Sequence, residues 1–171
     1  ALEGVDLFVL NEMATPLSAG EIAALEQFVA EGGALLEVST WAAGPRPVLL
    51  GAFLGPSLLD GTGEFTPAGL ASPLATGAFG TVTGALVTSR LAVAGLATVI
   101  AQNDAGPNVL LLAPGAGFSG LGRAVLAGDE EAFTTGHPNL NNYTVGPNRT
   151  VFLNTVAFLA QAPGFRIPPP A

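Results

Sequence analysis

Residues 5–38, VDLFVLNEMATPLSAGEIAALEQFVAEGGALLEV, decide the fold class. Val5 to Leu10 is a short, largely apolar run suited to a buried strand, and Asn11 to Pro16 reads as a loop. Ser18-Ala19-Gly20-Glu21 has the S-x-x-E spacing of a capping box, in which Ser18 accepts from an early helix amide and Glu21 reaches back. Ile22, Leu25, Phe28 and Val29 follow at helical spacing, Gly32-Gly33 supplies a stop, and Ala34 to Val38 is a second apolar strand. Strand, capped helix, stop and strand make a βαβ unit, which predicts a parallel pair joined by a right-handed crossover.

Beyond this unit the pattern is looser. Pro47 to Leu54 reads as a short helix closed by Gly55-Pro56, and residues 56–80 as a long Gly-, Pro-, Ser- and Thr-rich surface excursion. Strand patterns return at Ala85–Val93, Ala97–Gln102, Asn108–Leu112 and Arg123–Ala127, with a glycine-rich turn over Gly115–Gly122. Thr150 to Ala160 has helical spacing and reads as a closing helix, with Asn148 as its N-cap. Residues 1–162 are therefore expected to form one α/β domain, and Pro163 to Ala171 an extended proline-rich tail.

Composition restricts the function. The 171 residues include five arginines, no lysine and thirteen acids, for a net charge of −8. Such a surface lacks the basic stripe that replaces phosphate counterions, so nucleic acid and anionic membranes are disfavoured. No apolar run approaches the ~20 residues of a membrane-spanning helix. The N-terminus has no basic region of a signal peptide and no initiator Met, so the chain reads as a processed or truncated piece. With no cysteine, disulfides, thiolate metal sites and cysteine nucleophiles are ruled out. Few charges and many Gly, Ala, Thr and Asn residues suggest an exported or envelope-associated bacterial protein.

Three stretches carry a family resemblance: residues 5–38, GLGRAVLAGDEEAF (120–133) and NRTVFLNTVAFLA (148–160). In this order they resemble the class I glutamine amidotransferase-like superfamily, in its non-amidotransferase branches: ThuA-like proteins and the auxiliary domains of gliding-motility ABC transport systems. Ser72-Pro73-Leu74-Ala75-Thr76-Gly77 resembles the family's HPL..G phrase, with serine in place of histidine. The resemblance implies a flavodoxin-like three-layer sandwich with a mainly parallel sheet. It also implies that the family's first strand–helix unit would precede residue 1. Ligands of such sheets bind outside the carboxyl ends of the strands, here Asn11–Thr15, Ser39–Gly44 and Asp129–His137.

The turn corresponding to the amidotransferase nucleophile begins at Ser39 and lacks both the thiol and the G-x-C-x-G frame, so the family chemistry is lost. What remains is a polar edge of Glu12, Ser39, Thr40, Trp41, Asp129 and His137, and the leading expectation is a non-catalytic binding or scaffolding domain. Trp41 would suit stacking on a sugar or anchoring a protein partner, and equally covering the sheet edge. A serine-type hydrolase using Ser39, His137 and Asp129 is the alternative, though no elbow glycines expose the serine. A third reading is a structural module that forms homo- or hetero-oligomers through its sheet edges.

Other motifs have ordinary explanations. Gly115-Ala116-Gly117-Phe118-Ser119-Gly120 matches G-x-G-x-x-G, but a strand follows where a dinucleotide site needs a helix N-terminus, so it reads as a hairpin connection. Asp129-Glu130-Glu131 invites a hard cation, but with no EF-hand or repeated Asp spacing it reads rather as acids at a helix start. Asn142-Tyr143-Thr144 and Asn148-Arg149-Thr150 match the N-glycosylation pattern, which matters only in a eukaryotic secretory route. No metal or cofactor is expected.

Overall fold

The structure is a computed structural model that describes residues 2–10, 17–38, 48–49, 52–53, 61–88, 96–104, 106–115, 118–128 and 147–164. The leading βαβ unit is present as β1 (Leu7–Leu10), α1 (Ala19–Ala30) and β2 (Ala34–Val38), with β1 and β2 parallel. Both halves of the capping box form: the Glu21 amide donates to Ser18 Oγ at 3.3 Å, and the Ser18 amide donates to the Glu21 carboxylate at 2.8 Å. At the other end the Gly33 amide donates to Phe28 O and the Gly32 amide to Val29 O, with Gly32 at φ +114°. This is the Schellman stop, in which a glycine takes the left-handed turn that other residues resist. The Phe28 ring fills the space a side chain at Gly33 would need.

The main sheet has the order β1-β2-β11-β10-β9-β5-β8. Its remaining strands are β5 (Gly61–Phe65), β8 (Leu86–Thr88), β9 (Thr98–Asn103), β10 (Gly106–Leu112) and β11 (Arg123–Ala127). The pairs β1–β2 and β2–β11 are parallel, whereas β11–β10, β10–β9, β9–β5 and β5–β8 are antiparallel. The sheet is thus mixed rather than mainly parallel. The reason is local: short connections join β9 to β10 and β10 to β11, and neither is long enough for the crossover that parallel strands need.

Two more expectations are corrected. The helix expected over Pro47–Leu54 is not seen: β3 (Val48–Leu49) and β4 (Ala52–Phe53) pair antiparallel. The excursion expected over 56–80 includes a strand of the main sheet, β5, and then α2 (Pro67–Leu70) and the hairpin β6 (Thr76–Gly77)–β7 (Gly80–Thr81). Strand β5 is glycine-rich because Asn108 lies where a side chain at Gly63 would go. Next to it, α2 covers the edge of β9 beyond the end of β5. Thr66 Oγ1 donates to Val99 O at 2.7 Å and accepts from the Gly69 amide at 2.9 Å. Covering an edge in this way blocks pairing with other chains.

Strand alternation divides the core in two. Leu35, Leu110, Leu112, Ala124 and Leu126 pack with Leu25 and Val29 of α1. Ala34, Leu36, Val109, Leu111 and Val125 face the other way, onto Val151, Phe158 and Leu159 of α3 (Asn148–Leu159) and onto Leu74 and Val82. Helices α1 and α3 therefore cover opposite faces of one sheet. Each fully buried leucine contributes roughly 1.5–3 kcal/mol. The cap of α3 differs from expectation: Pro147 is its N-cap, with no side-chain cap bond, and Asn148 is fully buried. Proline suits this end because its missing N–H is one the helix would leave unsatisfied.

Candidate functional site

Parallel pairing brings three strand ends together. Leu10 is in register with Glu37, Leu126 with Glu37, and Ala127 with Val38. The segments holding Glu12, Ser39, Thr40, Trp41 and Asp129 follow these ends directly, so they leave the sheet from one rim and from adjacent strands. His137 comes later in the segment that follows β11. Glu12, Ser39, Thr40, Trp41, Asp129 and His137 themselves lie outside the described residues, as does the alternative triad Ser39-His137-Asp129.

Sequence reading missed one acid at this rim. Glu37 occupies the penultimate position of β2, between Leu10 and Leu126 on the neighbouring strands, and is only 3% exposed. Burying a carboxylate among leucines is costly unless it is compensated, and such groups concentrate at functional sites. The signal was present: Glu37 is the one charged residue in an otherwise apolar strand, two positions before Ser39.

The same rim continues along the antiparallel strands. Asn108, fully buried, accepts the Gly128 amide at its backbone oxygen, 2.9 Å away, which ties the start of β10 to the end of β11. Further along, Gln102, Asn103 and Asp104 at the end of β9 form, with Glu64 to Pro67, an open groove of about 640 Å³.

The opposite rim is structural. The connection between antiparallel β10 and β11 lies there, as its reading as a hairpin connection expects, with Ala116 and Gly117 outside the described residues. Leu121 and Gly122 amides donate to Ala30 O and Val29 O, each at 2.9 Å, which docks this connection on the end of α1. A side chain at Gly122 would collide with the backbone oxygens of Val29 and Gly33. Arg123 donates from Nη1 to Phe158 O at 3.1 Å and lies 4.6 Å from the centre of the Phe158 ring. It places a cation at the carboxyl end of α3, where the helix dipole favours one. Partial burial pushes the pKa of this guanidinium below its usual value.

Two sequence motifs also turn out to be structural. Ser72 of the SPLATG phrase is buried and donates to Gly69 O at 2.6 Å, shaping the turn after α2. Asn154, in the closing-helix phrase, accepts from the Phe79 amide at 2.9 Å and donates to Leu74 O and Gly80 O, each at 3.1 Å. It clasps the β6–β7 hairpin to α3.

Among the described residues no group of three or more His, Asp or Glu side chains is placed to hold a metal ion, and no helix is long and apolar enough to cross a membrane. No family model matches the chain, and no curated protein matches it. Solved structures do share its fold. The mmIFT52 N-terminal domain superimposes with a TM-score of 0.62 at 13% identity, over 95% of this chain and 80% of that one. A β-galactosidase from Rahnella sp. R3 superimposes with a TM-score of 0.53 at 15% identity, over 95% of this chain but only 24% of the enzyme.

Proposed function

We propose that this chain is a non-catalytic binding or scaffolding domain of an exported or envelope-associated bacterial protein. In this reading it has a degenerate amidotransferase-like fold and binds through the rim of Glu12, Ser39, Thr40, Trp41, Asp129 and His137. The carrying observation is that β1, β2 and β11 are adjacent and parallel, so the segments bearing these residues leave from neighbouring strand ends. A chain without cysteine brings no thiol to that rim. Helices on both faces of the sheet support a flavodoxin-like, three-layer relationship, with the antiparallel half as a departure from it. The recurrence of the fold as an N-terminal domain, and as about a quarter of a β-galactosidase chain, supports a module that works within larger proteins. The ligand would be a protein partner or a small polar or sugar molecule.

Glu37 extends this reading. A buried acid beneath the rim is suited to holding the rim segments or a ligand donor in place, a role that needs no turnover.

Labelling with a serine-directed fluorophosphonate, read by intact mass, tests the proposal. The expected result is no stoichiometric adduct. A stoichiometric adduct at Ser39 that disappears in His137→Ala would establish the hydrolase reading in its place.

A further inference from the structure

We infer that the groove between β5 and the end of β9 is a second binding site, for a neutral, hydroxyl-rich ligand of the oligosaccharide class. It lies further along the rim that Ser39 follows, on the antiparallel strands β9 and β5, and nothing in the proposed function assigns it. Its walls are Glu64, Phe65, Thr66 and Pro67 on one side and Gln102, Asn103 and Asp104 on the other. The volume, about 640 Å³, is within the range of sites that take small organic ligands.

The lining chemistry narrows the ligand. No basic side chain is among the described residues that line the groove, and the chain carries a net charge of −8, so phosphates, carboxylates and acidic sugars are disfavoured. A hard cation needs several converging oxygen ligands, and no metal-holding group exists among the described residues. Each wall instead carries one carboxylate, Glu64 or Asp104, and the β9 wall adds the amides of Gln102 and Asn103. Carboxylates accept from hydroxyls, while amides both donate and accept, so this set complements groups that themselves do both. Exposed Pro67 supplies apolar surface for the C–H face of a sugar ring.

The walls are held in place independently of any ligand. The Thr66 hydroxyl is engaged with Val99 O and the Gly69 amide, which fixes the chain just after Glu64 and Phe65. Gly63 lets β5 pass close over buried Asn108. Glu64 is paired with Gln102 across the β5–β9 ladder, which sets the spacing of the two walls.

The test is a ¹H–¹⁵N titration of the intact chain with maltotetraose, cellotetraose and chitotetraose, with spermidine and calcium chloride as cationic arms. At least one tetrasaccharide is expected to give saturable shifts at the amides of Glu64–Thr66 and Gln102–Asp104, with a Kd of about 1 mM. Gln102→Ala and Asp104→Ala, both at exposed positions, are each expected to weaken it by about tenfold or more while other signals stay unchanged. The inference is overturned by saturation from none of the three sugars, whatever the cations do. It is equally overturned by shifts confined to other regions or unaffected by both substitutions. Because the readout is on β5 and β9, it succeeds or fails independently of the Ser39 rim.

Discussion

The two faces of the sheet are covered in different ways. The α1 face is closed mainly by apolar contacts around Leu25, Val29, Leu35 and Leu126, with Glu37 buried at its rim between Leu10 and Leu126. The α3 face mixes apolar packing with buried polar side chains: Asn154 clasps the β6–β7 hairpin, and Thr155 and, at the start of the helix, Asn148 are buried as well. On the first face α1 meets its chain neighbour Leu35 and also Leu110, Leu112, Ala124 and Leu126 from far along the chain. The second brings α3 against a hairpin some 75 residues earlier, and directional bonds set the register of that long-range contact. The contrast teaches that apolar packing suffices to seat α1 on the sheet, while the β6–β7 hairpin is aligned on α3 by directional hydrogen bonds.

Leu35→Ala should be the most damaging of four substitutions that probe this contrast. Leu35 is fully buried on the α1 face, and truncation should lower unfolding free energy by about 3 kcal/mol in a denaturant titration. Asn154→Ala should cost about 2 kcal/mol by orphaning the Phe79 amide and the Leu74 and Gly80 carbonyls. Hydrogen exchange should then quicken at Phe79 but not in α1. Uniform quickening would show that the two faces are not held separately.

Ser18→Ala should cost about 1 kcal/mol by removing the cap of α1. It also carries a pH signature. Bonds from the Ser18 hydroxyl and amide lower the Glu21 pKa below its ordinary 4.5. A lowered folded-state pKa stabilises above the unfolded value, and that contribution is lost as pH falls through the folded one. Stability should thus decline below about pH 4.5, and Ser18→Ala should flatten this part of the decline. The smallest effect is expected from Thr155→Val. Thr155 Oγ1 is buried with no hydrogen-bond partner, so the change should be neutral or stabilise by up to about 1 kcal/mol in thermal melts.

The same contrast explains what the sequence made legible. The capping box, the Gly32-Gly33 stop and the apolar runs of β1 and β2 are local signals, and all are realised. Strand β5 was hidden because GTGEF has two glycines and no apolar alternation, with Thr62 its one β-branched residue; it is a strand through its pairing with β8 and β9 and the close approach of Asn108. Apart from the β10–β11 hairpin connection, the antiparallel half was hidden for a related reason, since periodicity reports burial but not strand direction. Asn154 could have been found. Val151, Asn154, Thr155 and Phe158 share one helical stripe, so an Asn and a Thr at core spacing announce buried hydrogen bonding. Glu37 gave a similar signal within β2. The shared rim was legible only as an expectation that β1, β2 and β11 run parallel; their adjacency is a property of the fold.

Convergence of the candidate residues on that rim is the central claim, and the cysteine-free chain permits a direct measurement. Glu12→Cys/Asp129→Cys and Ser39→Cys/His137→Cys pairs can carry nitroxide labels with no background thiol, and their separations can be read by pulsed electron spin resonance. Neighbouring strands lie about 4.8 Å apart, so both pairs should give a single distance peak below about 20 Å, some four strand spacings. A broad distribution centred well beyond that, for either pair, would mean that these residues share no common edge.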